Sequence, residues 1–271
     1  MSEERSSNII EVEGITKVFP GARTGLLSRA SGITAVRDVS FGLRRGEVLG
    51  LLGESGCGKS TLAKILMHLL PPTSGRVLLD GTEIQDLPET AFRKYRKKIQ
   101  MVYQNPFDCL DPSMRVQRLL EEPLRLWYPD MEPAEREGKI LRILEECGLA
   151  ENSLGKYPGE FSGGQLQRIA IARALLVEPE VLIADEIISA LDVSIQNQIL
   201  RLLEEMKTRH HLSVLFITHD LSVARRMSDR VMVMQEGEIK GIGTPEEVFS
   251  ESADPYIRAL SNAVFTFRGK V

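Results

Sequence analysis

The stretch Gly53-Glu54-Ser55-Gly56-Cys57-Gly58-Lys59-Ser60-Thr61 decides the fold of this chain. It fits the pattern G-x-x-x-x-G-K-[ST], follows an apolar run at residues 48–52 and precedes an apolar helical pattern at residues 62–67. In that strand, loop and helix context the pattern is typical of a loop that holds nucleotide phosphates. The alternative, a plain glycine turn, is disfavoured because the match is complete and in context.

The glycines and the lysine of this loop have distinct expected roles. The three glycines permit backbone conformations that a Cβ bars, so that successive N–H groups can face an anion beside a helix N-terminus. Lys59 would supply a positive charge to the β and γ phosphates, Ser60 a ligand for Mg²⁺ and Thr61 a further phosphate contact. All nine loop residues are therefore assigned to a site for ATP and Mg²⁺.

Polar residues at two further strand ends complete the expected site. Asp185 and Glu186 follow a buried-strand pattern, where Asp185 would reach the water shell of the metal and Glu186 would orient or deprotonate the attacking water. His219 closes another apolar run, residues 213–217, at the same carboxyl edge of the predicted sheet. A lone histidine at a strand end is more often structural, but the flanking motifs favour a catalytic role here.

Several further motifs resemble those of one family. Residues 162–165, which read Ser162-Gly163-Gly164-Gln165 and continue as a helical pattern to Arg173, resemble the ABC signature and its helix. Gln104 resembles the Q-loop glutamine, residues 189–192 resemble the D-loop, and His219 resembles the switch histidine. The chain therefore resembles the nucleotide-binding subunit of an ABC transporter over nearly its whole length.

The resemblance implies a site shared between two subunits. In this family two nucleotide-binding domains close head to tail, so residues 162–165 of one subunit would cover the ATP that Lys59 and Ser60 hold in the other. The start of the helix after Ser162 is an anion-binding terminus by the same physics as the phosphate loop. The second ATPase subunit is either another copy of this chain or a homologue.

Other residues receive their roles from the resemblance alone. Gln104 would bridge the metal or water site to the membrane partner, and His219 would hydrogen-bond the γ phosphate. Asp192 would lie at the dimer interface. Phe19 is placed like the aromatic residue on which adenine stacks, although an aromatic residue at a strand end is as often part of the core.

Two positions depart from the family pattern. Phe161 opens the signature where the family usually has leucine, which keeps an apolar anchor. Residues 187–188 are isoleucines where the family commonly has a proline after the glutamate, a change that should loosen a turn without removing a catalytic group. We therefore expect a hydrolytically competent site.

The composition of the chain excludes some classes of function. The chain has 271 residues, 42% hydrophobic and 27% charged, and a net charge of −4, which gives no sign of a nucleic-acid surface. The basic run at residues 92–98 is expected to be a solvated face. No apolar run approaches the ~20 residues of a membrane span, and the first residues do not resemble a signal peptide. The expected location is the cytoplasmic face of the cell membrane, reached through a partner.

The three cysteines are widely spaced and odd in number, which does not suit a disulfide framework or a metal knuckle and fits a reducing cytosol. Cys57 lies inside the phosphate loop, next to a helix N-terminus and a lysine. Its thiol could be activated, so that alkylation blocks nucleotide binding, or it could be an inert small residue that fills a gap.

The predicted fold class is α/β, a RecA-like P-loop NTPase core with an antiparallel β subdomain and an inserted α-helical subdomain. The ABC nucleotide-binding domain is expected over residues 1–249, with the helical subdomain at about 106–167. A short tail would occupy residues 250–271. Gly148 and Gly155 are predicted helix stops, and helices alternate with buried strands from residue 169 onward.

Three segments are similar to the peptide, dipeptide and nickel importers of the family: residues 21–27, 96–112 and 254–260. The resemblance implies two integral membrane permease subunits and, indirectly, an extracytoplasmic solute-binding protein. Peptide and nickel or metal-chelate cargo both remain open. The alternative is a non-transport ABC ATPase that acts as a nucleotide switch on ribosomes or DNA, but such proteins usually carry two ATPase halves or a long coiled-coil insertion.

Overall fold

The computed structural model describes residues 8–20, 32–250 and 252–268, with side chains as far as residue 262. The insertion predicted at residues 21–27 lies outside these residues. In chain order the strands and helices are β1 (Asn8–Phe19), β2 (Ile33–Arg44), β3 (Val48–Leu52), α1 (Lys59–Leu66), β4 (Ser74–Leu79), β5 (Thr82–Glu83), α2 (Glu89–Arg96), β6 (Ile99–Val102), α3 (Val116–Trp127), α4 (Pro133–Glu146), α5 (Gly163–Leu175), β7 (Val181–Asp185), α6 (Val193–His210), β8 (Ser213–Thr218), α7 (Leu221–Met227), β9 (Arg230–Gln235), β10 (Glu238–Gly243), α8 (Pro245–Ser250) and α9 (Pro255–Arg268).

The chain forms two compact units. The first consists of Met1–Arg93 and Ser213–Val271, and the second of Lys94–Leu212. Among the described residues, none of the helices combines the length and the apolar composition that crossing a membrane requires.

The first unit contains two kinds of strand pairing. Strands β2, β1, β4 and β5 form an antiparallel sheet in that order, which confirms the antiparallel sheet predicted from the sequence. Strand β3 instead runs parallel to β8 on one side and to β9 on the other, and β9 pairs with β10 in the antiparallel sense. All five residues of β3 are buried, as is typical of a strand inside a parallel sheet.

The C-terminal segment of the first unit folds onto its core. Ile257, in α9, is fully buried in a cluster that includes Leu52 at the end of β3 and Phe249 at the end of α8. Tyr256 and Leu260 pack against the same cluster. The segment predicted as a short tail therefore contains a helix with a substantial packed face.

The second unit combines a parallel strand pair with helices. Strands β6 and β7 run parallel, and all five residues of β7 are buried. The predicted helical region contains α3 and α4, and Gly148 adopts a φ of +65° just after α4, as expected of a helix stop. Helix α5 continues beyond residue 167 to Leu175, because its buried face remains apolar to that point.

Candidate nucleotide site

The phosphate loop connects β3 to α1 in the first unit, as predicted. Gly56 and Gly58 have φ values of +81° and +113°, in the region that favours glycine. A Cβ on Gly58 would lie 2.2 Å from the Ala35 carbonyl oxygen, so this position admits no side chain. Gly53 has a different reason for being glycine: a Cβ there would lie 2.3 Å from the Met234 carbonyl oxygen.

Lys59 begins α1 and is 4% exposed. Its Nζ donates hydrogen bonds to the carbonyl oxygens of Gly53 at 2.8 Å and Glu54 at 2.9 Å. The ammonium group is thus enclosed by the loop itself, while Ser60, the next residue, is exposed. This arrangement leaves a positive charge at the centre of a glycine-lined cradle, which fits an anionic phosphate chain.

Cys57 does not have the activated thiol that the sequence allowed as one alternative. Its side chain is 7% exposed, and its Sγ lies 4.0 Å from the Nζ of Lys59. Burial raises the pKa of the Cys57 thiol above its ordinary value, although the charge of Lys59 acts in the opposite direction. The hypothesis of activation is wrong, because desolvation of the thiolate outweighs the nearby cation.

Alkylation of Cys57 by iodoacetamide should therefore be slow at pH 7, and its rate should still be rising with pH at 9.0, the ordinary pKa of the thiol, and should level off only above that value. Only the thiolate reacts, and a raised pKa keeps it scarce at neutral pH. Mass spectrometry of the Cys57 peptide across a pH series measures this rate. The same peptide labelled in urea serves as the control and should follow an ordinary thiol profile. A rate that levels off below pH 9 in the folded protein would contradict this assignment.

In the second unit, Asp185 and Glu186 lie where β7 ends. Asp185 is 8% exposed, and Glu186 is partly exposed. Glu186 has a φ of +47°, a conformation that is uncommon for a residue with a side chain and that costs of order 1–3 kcal/mol. Such conformations persist where the surroundings fix them, and they cluster at functional sites.

The turn after Glu186 shows what fixes it. Ile187 and Ile188 are 2% and 4% exposed, and Ser189 donates to the Glu186 carbonyl oxygen from both its backbone N–H at 3.1 Å and its hydroxyl at 3.0 Å. These contacts hold the turn in the absence of a proline and argue against the loosening expected from the sequence. The two buried isoleucines and the two hydrogen bonds to the Glu186 carbonyl oxygen stabilise the turn in place of a proline.

Gln104 belongs to the same group of residues. It follows β6, and its Nε2 donates to the Ser189 Oγ at 3.1 Å. Because Ser189 in turn bonds the Glu186 carbonyl, a chain of hydrogen bonds joins Gln104 to the backbone of the predicted water-activating residue. Ser189 was assigned no role of its own from the sequence, since nothing local distinguishes its hydroxyl.

His219 follows β8 in the first unit and is exposed. Strand β8 is the parallel neighbour of β3, and Thr218 is paired with Leu52, the last residue before the phosphate loop. Asp220 caps α7, because its Oδ1 accepts hydrogen bonds from the backbone N–H groups of Ser222 at 2.8 Å and Val223 at 3.2 Å. The structure therefore places His219 beside the phosphate loop, at the edge predicted for it.

The signature segment caps α5 in the second unit. The Ser162 backbone N–H donates to Gln165 Oε1 at 3.0 Å, and the Gln165 N–H donates to Ser162 Oγ at 3.4 Å. This reciprocal pair is a capping box, which fixes the first turn of the helix. Ser162, Gly163 and Gln165 are exposed, so the start of α5 faces solvent, and the N–H of Gly163 is among those that have no acceptor within a helix.

The signature glycines are also packing positions. A Cβ on Gly164 would lie 2.4 Å from the Ile195 Cγ2, and one on Gly163 would lie 3.3 Å from the Leu191 Cδ2. Ile195 belongs to the first turn of α6, whose N-cap residue is Asp192. The signature helix and the segment that resembles the D-loop therefore touch directly, and the role of Ile195 could not be read from local sequence.

Two further positions complete the description of the site. Gln167 is 1% exposed, and its Nε2 donates to the Tyr103 carbonyl oxygen at 3.3 Å, which joins α5 to the segment that contains Gln104. Phe19 is 38% exposed and lies under the Nζ of Lys17 at 5.4 Å from the ring centroid, so it is not a core residue. Its role in stacking adenine stays a prediction.

The structure thus assembles the predicted residues in two groups. The phosphate loop and His219 lie together in the first unit, whereas Gln104, Glu186 and the capped signature helix lie in the second. A glycine cradle around a buried lysine between a parallel strand and a helix defines a P-loop nucleotide-binding protein.

Comparison with known proteins narrows the class of P-loop protein to one family. The sequence profile of the ABC transporter family matches residues 36–189. The oligopeptide transport ATP-binding protein AppF of Bacillus subtilis is 44% identical over 266 residues, which are 97% of this chain and 80% of AppF. The dipeptide transport ATP-binding protein DppF of Haemophilus influenzae is 41% identical over 265 residues, 97% of this chain and 80% of DppF.

A solved structure has the same fold. The ATP-binding cassette MJ0796, solved as a dimer in a post-hydrolysis state with ADP and phosphate, superimposes with a TM-score of 0.78 at 31% identity. The match covers 87% of this chain and 98% of MJ0796. The chain therefore belongs to the ABC transporter family, as an ATPase that couples ATP hydrolysis to transport. The predicted fold class and family are confirmed, and neither AppF nor DppF is named for nickel transport.

Proposed function

We propose that this chain is the ATP-hydrolysing subunit of an importer for peptides. One observation carries the proposal: 97% of the chain aligns at 44% identity with an oligopeptide transport ATP-binding protein. The chain also contains the phosphate-loop pattern and the signature residues quoted from its sequence. The three segments similar to peptide and nickel importers support the same branch. Among the two cargo classes, peptides are favoured because the oligopeptide and dipeptide relatives carry that name.

ATP binds at the phosphate loop. The backbone N–H groups around Gly56 and Gly58 hold the phosphate oxygens, and Lys59 neutralises the β and γ phosphates. Ser60 and Asp185 are the residues that would hold Mg²⁺, since a hydroxyl and a carboxylate are oxygen donors of the kind it prefers, with Gln104 as a further ligand. When bound there, Mg²⁺ would offset the negative charge that develops on the transferred phosphoryl group.

Glu186 orients the attacking water and accepts its proton. The fixed turn described above supports this assignment, because a base that must align a water molecule needs a defined backbone. The hydrogen-bond chain from Gln104 through Ser189 reaches the Glu186 carbonyl oxygen. Movement of Gln104 would therefore shift the backbone that positions the Glu186 carboxylate. His219 donates a hydrogen bond to the γ phosphate from the end of β8.

Two ATPase subunits close head to tail. The capped first turn of α5 presents N–H groups that lack intrahelical partners, and the γ phosphate of the ATP bound to the opposite subunit supplies the anion. The direct packing of Gly164 on Ile195 keeps the signature and the Asp192 segment aligned in that interface. The partner is a second copy of this chain or a homologous ATPase.

Closure and reopening of the dimer drive transport. Two integral membrane permease subunits dock near residues 104–107 on the cytoplasmic face of the membrane, and the extracytoplasmic solute-binding protein delivers the peptide to them. ATP binding closes the dimer and moves the docked permease helices, and hydrolysis reopens it. The non-transport alternative, a switch on ribosomes or DNA, has no observation in its favour.

The substitution Gly164→Ala tests the shared site. Because the added Cβ would lie 2.4 Å from Ile195, we expect displacement of the signature turn and at least a roughly 10-fold loss of ATPase activity, with MgATP binding to the single chain unchanged. ATP-dependent dimerisation measured by light scattering should fall in parallel.

Gly159→Ala is the matched control, because a Cβ there meets nothing within 4 Å, and it should behave as the parent. If Gly164→Ala dimerises and hydrolyses ATP normally, the assignment of the signature turn to a shared site is wrong. Gentle extraction from membranes tests the partners: two multi-span proteins with a peptide-binding protein should co-purify, whereas ribosomal or DNA-repair proteins would contradict the proposal.

A further inference from the structure

The turn between β9 and β10 has a tightly defined backbone. These strands pair Gln235 with Glu238, so the turn consists of two residues, Glu236 and Gly237, which we call the hairpin tip. Their φ values are +48° and +84°, and a two-residue turn of type I′ requires positive φ at both positions. Glycine adopts such a conformation readily, whereas it is uncommon for a residue with a side chain such as Glu236.

Two backbone hydrogen bonds hold the hairpin tip between β2 and the phosphate loop. The Arg37 N–H donates to the Gly237 carbonyl oxygen at 2.8 Å, and the Gly237 N–H donates to the Cys57 carbonyl oxygen at 2.9 Å. The ion pair between Arg37 and Glu238, at 3.3 Å, contributes little because both side chains are exposed. The backbone of Gly237 therefore links β2 to the phosphate loop.

The same three segments approach each other closely at further points. A Cβ on Gly237 would lie 3.1 Å from the Ala35 carbonyl oxygen, and a Cβ on Gly58 would lie 2.2 Å from that same oxygen. A Cβ on Gly53 would lie 2.3 Å from the carbonyl oxygen of Met234, near the end of β9. Strand β2, the β9–β10 hairpin and the phosphate loop therefore pack backbone against backbone.

The hydrogen bond to Cys57 fixes the direction of the next N–H along the loop. The peptide between Cys57 and Gly58 is planar and trans, so the Cys57 carbonyl oxygen and the Gly58 N–H point in opposite directions. Because the oxygen faces Gly237, the N–H faces away from the hairpin tip. Gly58 is the N-cap of α1, so this N–H has no acceptor within the helix and suits an anion.

We infer that Gly237 is a positioning residue of the nucleotide site, whose N–H holds the Cys57 carbonyl oxygen and thereby orients the Gly58 N–H toward the phosphates. The inference rests on the nucleotide site proposed above. Without this hydrogen bond the Cys57–Gly58 peptide can rotate, because Gly58, with a φ of +113°, accepts a wide range of backbone angles. The β9–β10 hairpin, which contains none of the nucleotide motifs, therefore controls how well the loop binds its ligand.

Removal of the Gly237 N–H alone tests the inference. Glycolic acid in place of Gly237, introduced into the full-length chain by nonsense suppression, replaces this N–H with an ester oxygen and adds no side chain. We expect the affinity for MgADP, measured by titration calorimetry, to fall about 3- to 10-fold, the effect of one hydrogen bond. Because the loop N–H groups hold the α and β phosphates, the affinity for Mg²⁺ with adenylyl imidodiphosphate should fall by the same factor.

The same replacement at Gly81 is the matched control. Gly81 follows Asp80 in the two-residue turn between β4 and β5, where the φ values are also positive, +71° and +52°. This ester likewise removes one backbone N–H from a hairpin turn, but in a different sheet from the β9–β10 hairpin. It should bind both nucleotides with the affinity of the parent chain. Circular dichroism at the temperature of the titration should show that both esters are folded.

The outcomes separate the inference from the proposed function. Parent-like affinity in the Gly237 ester, an equal loss in the Gly81 ester, or a loss confined to adenylyl imidodiphosphate would overturn the inference while leaving the nucleotide site intact. So would a Gly58 amide signal that MgADP leaves unmoved in the NMR spectrum of the parent chain labelled with ¹⁵N-glycine, a measurement that needs no variant to fold. Failure of the parent chain to bind either nucleotide would instead overturn the proposed function, and the inference with it.

Discussion

Glu186→Gln should lower ATP hydrolysis by at least about 100-fold while preserving MgATP binding, because general-base assistance contributes about 10²- to 10⁴-fold and an amide cannot accept the proton of the water. The substitution keeps the shape of the side chain, so the positive φ of +47° and the two hydrogen bonds to the Glu186 carbonyl oxygen remain available. With hydrolysis blocked, the closed dimer should accumulate in the presence of ATP.

Phosphate release and light scattering on the same sample measure both effects. Glu180→Gln, just before the start of the same strand, is the matched control; its carboxylate pairs with Lys98 at 3.0 Å, and its loss should leave turnover unchanged. Hydrolysis by Glu186→Gln at the parent rate would show that another group activates the water.

Lys59→Ala should weaken MgATP binding by at least about 100-fold and abolish measurable hydrolysis. The ammonium group provides charge-assisted hydrogen bonds to two phosphates, each worth about 1.5–3 kcal/mol. In the nucleotide-free chain the same substitution removes the hydrogen bonds to the Gly53 and Glu54 carbonyl oxygens, so some loss of stability accompanies the loss of affinity.

Lys64→Ala separates a specific effect from a general loss of charge. Lys64 is exposed on the same helix, α1, and its removal changes the net charge equally. Titration calorimetry should give parent-like affinity for this control. Equal affinity of the Lys59 variant and the parent would remove Lys59 from the phosphate site.

The local features of the fold were predictable from the sequence because they depend on neighbours along the chain. The phosphate loop, the buried strand before Asp185 and the helix stop at Gly148 each have a local signal in glycines or apolar runs. Because the motifs occur in the order typical of the ABC family, the family could also be predicted from the sequence. For the same reason the antiparallel sheet of β1, β2 and β4 could be predicted from short alternating patterns.

Contacts between residues distant in sequence could not be predicted in this way. A side chain at Gly53 would clash with the Met234 carbonyl oxygen, and one at Gly164 would clash with Ile195. No sequence motif near Met234 or Ile195 predicts these contacts. The sequence left open whether the Cys57 thiol is activated beside Lys59 or inert, and its burial, which only the fold reveals, raises its pKa. The turn after Glu186 looked loose without a proline, yet the two isoleucines there are buried.

The segment 254–260 illustrates both cases at once. Its similarity to one branch of the family was visible in the sequence, and the cap by Asp254 follows from a local rule. The packing of Ile257 and Tyr256 with Leu52 could not be predicted, because it brings together residues about two hundred positions apart.

The central claim, that ATP hydrolysis by this chain drives peptide uptake, is tested most directly in vesicles that contain the purified transporter complex. Peptide uptake from the binding-protein side should require MgATP on the side of this chain, and Glu186→Gln should abolish it while ATP remains bound. Uptake that proceeds equally with the Glu186→Gln subunit, or ATP hydrolysis by the parent complex without any peptide uptake, would contradict the account.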